Sequence, residues 1–356
     1  MKINKLLAII ALGGILFTSC SDDNTPDLPK GDYDHGILIS GEGSGPSTGS
    51  VSYVSEDLTI SENLIYKKVN NGELGIYLQS MAFDDDRAFI VVDNQNTITA
   101  VDRYSFEKVG SLTTNLEAPR YMTVANDKGY VTNWGTTEAF IAVYNMNDYS
   151  FIKKIIIGSG PERVLERNGK LYVSHKGGFG TNNIISVIDI ATDNVEEIEV
   201  NNNPDEMFFD NSGNLVVLCE GGVIYDSNWN VIGHTLGSIS KINTRTNEVN
   251  KIDFEEGVHP SLMVYKDGYI YYSIGTKVYK MNASDVNLPS SEFLTVELFA
   301  TGYSSFYGME IEDNKFYTLS TRFSDTSELN VYNLNDKTKI KTIEAPVGAS
   351  KIYFNN

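Results

Sequence analysis

The sequence predicts an all-β fold: a seven-bladed β-propeller of four-stranded antiparallel blades, closed by the C-terminal strand pairing with the N-terminal blade. Three observations lead there. The 356 residues include 21 Tyr and 16 Phe beside many Val, Ile and Thr, side chains that favour strands, and helical periodicity is missing beyond the first twenty residues. One phrase recurs: PRYMTVANDKGYVTNWG from Pro119, PERVLERNGKLYVSHKG from Pro161, PDEMFFDNSGNLVVLCEG from Pro204 and PSLMVYKDGYIYYSIGT from Pro260. Its spacing of roughly 40–56 residues lies in the range of propellers and repeat arrays.

The chain opens differently. Residues 1–19 combine a basic start (Lys2, Lys5), an apolar run from Leu6 to Phe17 and small residues ahead of Cys20. The run is short for a bilayer span and has the layout of a secretory signal peptide. A cysteine directly after FTS resembles the bacterial lipobox, which implies lipidation of Cys20 at the mature N-terminus. Residues 20–35 are acidic and Pro-containing without apolar periodicity, the composition of a flexible tether. Their Asp22–Asp23 pair resembles the surface-export signal of Bacteroidetes lipoproteins. Loss of Lys2 and Lys5 with the signal would take the net charge from −19 to −21. Such an acidic chain with no basic run repels nucleic acid and anionic membrane surfaces, so membrane contact is expected through the lipid alone. Only Cys219 remains besides Cys20, so no internal disulfide is expected.

Residues 36–356 carry the repeat. Each unit reads strand, tight turn, strand, loop, strand, turn, strand. The first turns are DDDR (84–87), NDKG (126–129), RNGK (167–170), NSGN (211–214), KDGY (266–269) and EDNK (312–315). Asn, Asp and Gly tolerate the positive φ that two-residue hairpin turns need. Six units begin near Gln79, Pro119, Pro161, Pro204, Pro260 and Ser305. Residues 36–78 hold three strands but no opening one, and GASKIYFNN (348–356) can supply it. One blade cannot bury both its faces alone, and closure removes the exposed edges. Seven units over 36–356 average about 46 residues, a propeller repeat.

Function is expected where the repeats differ, on loops held by a rigid scaffold. The opening positions Gln79, Arg120, Glu162, Asp205, Ser261 and Phe306 are unlike one another and would ring the mouth of a central channel. The loops of the same face are SGEGSGPSTGS (40–50), NWGTTEA (133–139), SHKGGFGTNN (174–183), STRFSDTSE (320–328) and the longest, residues 220–237. The candidate ligand-binding residues are Arg120, Trp134, Glu162, His175, Phe179, Asp205, Tyr225, Trp229, Phe306, Tyr307 and Arg322. Aromatics beside Asn, Gly and Arg suit a large, rigid, mostly uncharged ligand with many hydrogen-bonding groups.

Other chemistries lack their patterns. GEGSGPSTG leads into a strand, so no helix N-terminus completes a phosphate site. The four histidines show no paired metal-ligand spacing, and the acidic turns lack the alternation of a calcium loop. There is no Gly-x-Ser-x-Gly elbow, and Cys219 reads as a small buried residue at a strand end. Neither a metal nor a cofactor is expected, and binding is favoured over catalysis. A lyase or hydrolase using His175 or His234 with Glu162 or Glu220 is the enzymatic alternative.

The units PRYMTVANDKGYVTNWG and IAVYNMNDYSFIKKIIIGSGP resemble those of YncE-like seven-bladed propellers, over nearly all of 36–354. With the lipobox and the acidic pair, the chain resembles the Bacteroidetes surface lipoproteins of the cobalamin-capturing BtuG family. That resemblance implies an outer-membrane lipoprotein facing the exterior, which binds cobalamin or another corrinoid on the propeller face and passes it to a TonB-dependent transporter. Glycan binding or adhesion is the alternative for a surface propeller.

Overall fold

The computed structural model describes residues 29–356. The expected signal peptide, Cys20, the Asp22–Asp23 pair and most of the tether lie outside the described residues. Seven four-stranded antiparallel sheets form the ring. Numbered along the chain, blades two to seven begin with the inner strands Leu78–Asp84, Pro119–Ala125, Pro161–Arg167, Pro204–Phe209, Pro260–Lys266 and Ser305–Glu312. Blade one takes its inner strand, Ala349–Phe354, from the other end of the chain. That strand pairs antiparallel with Gly36–Gly41, with Ile39 opposite Ile352.

The tight turns form for the expected reason. Asn126 and Asp127 have φ of 51° and 57°, and Asp313 and Asn314 have 46° and 57°. Two consecutive left-handed residues match the twist of the flanking strands. Alternation along each strand then sends successive side chains to opposite neighbours. Tyr271 packs in the cluster shared with blade seven, and Tyr272 in the cluster shared with blade five. Seven such apolar clusters occupy the seven blade interfaces. Both faces of the two middle strands of most blades are therefore buried, which is why those strands are largely apolar.

Two elements depart from the repeat. A short helix, Ile65–Asn70, lies between blades one and two. The long segment 220–237 of blade five, expected as a loop, contains the hairpin Gly222–Tyr225 and Val231–Thr235. Its turn is held by Asp226, whose Oδ1 accepts the N–H groups of Asn228 and Asn230 at 2.8 and 2.9 Å.

Candidate functional site

All seven inner strands break register near their start. The break falls between Pro119 and Met122, Pro161 and Val164, Pro204 and Met207, and Pro260 and Met263, with related shifts in the other three blades. A β-bulge leaves residues without a ladder partner and re-aims them. Here it presents the residues after the opening position to the channel. The bulged backbone groups are satisfied from the next strand: the Tyr121 N–H donates to Thr132 Oγ1 at 2.9 Å, and Thr132 Oγ1 donates to the Glu162 carbonyl at 2.7 Å. Ser174 and Ser273 accept the equivalent N–H groups of Arg163 and Leu262.

The result is a cavity of about 500 Å³ at the channel mouth. Gln79, Arg120, Glu162, Asp205, Ser261 and Phe306, the opening positions of six blades, all line it, as do Trp134 and Tyr307. The walls are strongly ionic. Arg120 donates to Glu162 through Nη2 at 2.9 Å and to Asp93 through Nη1 at 3.0 Å, and its guanidinium lies 4.1 Å from the centre of the Trp134 ring. Arg163 pairs with Asp205 at 2.9 Å and with Glu206. Lys176 bridges Asp205 and Glu220, 2.8 Å from each.

Burial and pairing act in opposition on these groups. Burial alone would raise the Asp205 carboxyl, but Lys176 and Arg163 hold it well below the ordinary carboxylate range. Glu220 goes the other way: burial pushes its carboxyl up despite Lys176. Lys176 is held charged, because Asp205 and Glu220 outweigh its desolvation.

Five of the expected binding residues fall outside the lining. His175 does not look over the face. It pairs across from Pro161 at the strand end, fully buried, with Nδ1 3.1 Å from the Ser159 carbonyl and Nε2 2.8 Å from Ser186 Oγ. Burial lowers its pKa to about 4, so the ring is neutral. Arg322 stacks on Phe299, 3.4 Å from the ring centre, and donates to the Thr301 carbonyl, bracing the loop before blade seven. Tyr225 and Trp229 pack on each other at the hairpin tip. Phe179, 93% exposed, meets Trp134 edge-on at the rim.

Sequence reasoning missed Tyr121, Arg163, Glu206 and Lys176. Their signal was present: the first three follow the opening position directly, in PRY, PER and PDE, and only the bulge makes two adjacent residues face the same way.

A sequence family described as a domain of unknown function, DUF5074, matches residues 35–346. The chain belongs to the DUF5074 family. No curated protein matches the sequence. In structure the DUF5074 ring is similar to a functionally unknown protein of Desulfotomaculum acetoxidans, 11% identical, with a TM-score of 0.63 over 90% of this chain and 98% of that one. It is also similar to the periplasmic gluconolactonase PpgL of Pseudomonas aeruginosa, 11% identical, with a TM-score of 0.61 and the same coverage. The dihydro-heme d1 dehydrogenase NirN, solved in complex with DHE, is 12% identical, with a TM-score of 0.58 over 93% of the DUF5074 chain and 77% of its own. At such identities these likenesses concern the fold.

Proposed function

We propose that this protein is a capture propeller whose working face is the channel mouth, and that its ligand is a large, amide-rich small molecule of the corrinoid class. The observation that carries the reading is that three cations and five carboxylates of the mouth are already engaged with one another. Asp93–Arg120–Glu162 and Glu206–Arg163–Asp205–Lys176–Glu220 are two continuous chains of ion pairs. A strongly charged ligand would have to break a buried pair, which costs about 3–5 kcal/mol. Amides can instead share the remaining donors and acceptors. A corrinoid exceeds the 500 Å³ of the mouth, so its side-chain amides would enter while its ring rested on exposed aromatics such as Phe179 and Tyr307. Lipid on Cys20 would place the propeller at the outer membrane, facing outward, beside a TonB-dependent transporter that takes over the ligand. In this reading the ligand is bound and released unchanged.

One observation favours a second reading. Glu220, raised by burial beside Lys176, is able to hold a proton near neutrality as a general acid does, and PpgL is by name a gluconolactonase. Calorimetric titration with cyanocobalamin, run beside a gluconolactone hydrolysis assay, separates the two. Capture predicts saturable heat at micromolar protein, weakened by about 2 kcal/mol in Trp134→Ala. No heat and no co-elution sinks the corrinoid assignment, and turnover lost in Glu220→Gln replaces it with the enzyme.

A further inference from the structure

Beneath the mouth the channel continues as a second chamber of about 250 Å³. Its wall carries the apolar side chains of Met122, Met263, Met309, Val264, Leu165 and Ile352 beside four charged groups, Arg163, Glu206, Lys351 and Glu310. Glu162, Asp205, Glu206 and Glu220 each lie against an arginine or lysine. Glu310 has no cation within ion-pair distance among the described residues. Its one hydrogen bond comes from the adjoining Ile311 N–H at 3.3 Å. Burial, reinforced by Glu206, pushes this carboxyl up to about 7. In the same wall the fully buried Ser350 hydroxyl has no hydrogen-bond partner.

We propose that this chamber binds a small protonated amine with an apolar body, its ammonium on Glu310 and its body among the methionines. The volume corresponds to about eight waters of liquid, the size of an arylalkyl or short alkyl amine. A bare inorganic cation would leave most of the chamber unfilled, and thioether and aliphatic walls cannot replace its oxygen ligands. An anion would meet Glu310 and Glu206 and could pair only with Lys351, because Arg163 is already engaged by Asp205 and Glu206. An ammonium brings three donors, enough for the carboxylate and the unpartnered hydroxyl together. Methionine adapts its shape to an inserted body better than branched residues do. Arg163 and Lys351 border both the mouth and the chamber, so they mark the junction through which the amine would pass.

Titration of the full chain with phenethylamine and its neutral isostere 2-phenylethanol at pH 7.5 tests the site. The amine should bind at least about tenfold more tightly than the alcohol, and Glu310→Gln should lose at least about tenfold in amine affinity. A thermal shift of the wild-type protein by the amine and not by the alcohol gives a reading independent of the variant. Equal binding of the two compounds, unchanged amine affinity in Glu310→Gln, or no amine binding at millimolar concentration overturns the proposal. The corrinoid assignment is untouched by either result, because that ligand is placed at the mouth.

Discussion

At Glu310 and Glu220 the fold holds carboxyls above their ordinary range, chiefly through burial, and this sets the direction of the protein's response to pH. An unfolded glutamate titrates near about 4.3. A group raised in the folded state binds its proton more tightly there, so its contribution is complete below the unfolded value and is lost as pH rises through the folded one. For Glu310 that window runs from about 4.3 to about 7. Asp205, depressed by Lys176 and Arg163, acts in the opposite sense and only on further acidification. Stability should therefore fall between pH 5 and pH 8. Glu310→Gln, which cannot ionise, should flatten part of that fall and be more stable than wild type at pH 8 by about 2–3 kcal/mol. Urea unfolding of both proteins at the two pH values measures it, and a fall equal in the two excludes Glu310 as its source. At this scale the sequence was half legible. Arg120, Glu162, Asp205 and Phe306 stand at marked positions after the blade starts, so their place on the ring could be read. Which cation meets which carboxylate depends on distances across neighbouring blades, and neither the Arg163–Glu206 pair nor the isolation of Glu310 leaves a trace in spacing.

The bulged inner strand is the element that turns a repeated scaffold into a site. Its cost is a set of backbone groups without ladder partners, and Thr132 shows how that cost is met, accepting from Tyr121 and donating to Glu162. Replacing Thr132 by Val keeps the shape and removes both bonds. An unsatisfied buried group costs about 1–3 kcal/mol, so Thr132→Val should be destabilised by that much. It should also bind ligand at the mouth more weakly, since Tyr121 and Glu162 lose their anchor. Denaturant midpoints and calorimetry test the two effects, and a neutral substitution would show that the bulge holds itself. Turns and strands were legible because Asn, Asp and Gly recur at fixed offsets between apolar runs. The hairpin of blade five was not. Its strands, GVIY and VIGHT, contain no buried residue, so the apolar alternation that marks the middle strands of the blades has nothing to report there. His175 was misplaced because it is the last residue of its strand and still buried within the ring, and the mouth begins only with Lys176.

The whole ring is held shut by its last strand. Ala349–Phe354 completes blade one, and Asn355 extends the closure by donating to the carbonyls of Tyr33 at 2.7 Å and Arg103 at 2.9 Å. Removing 349–356 opens two blade interfaces at once and bares a sheet edge. The loss should rival the full stability of a domain, about 5–15 kcal/mol, with aggregation on gel filtration and loss of a cooperative melt. An unchanged melting temperature would show that the other blades hold without it. The same architecture keeps two kinds of sequence change apart. The apolar clusters lie between the blades, while the charged bulge residues Arg120, Glu162, Arg163, Asp205 and Glu206 line the channel outside them, though Leu262 and Tyr121 also pack into the clusters. Substitutions at those charged positions can alter what the channel mouth presents and leave the apolar interfaces as they were. A lineage built this way can redraw its channel mouth many times without changing its skeleton.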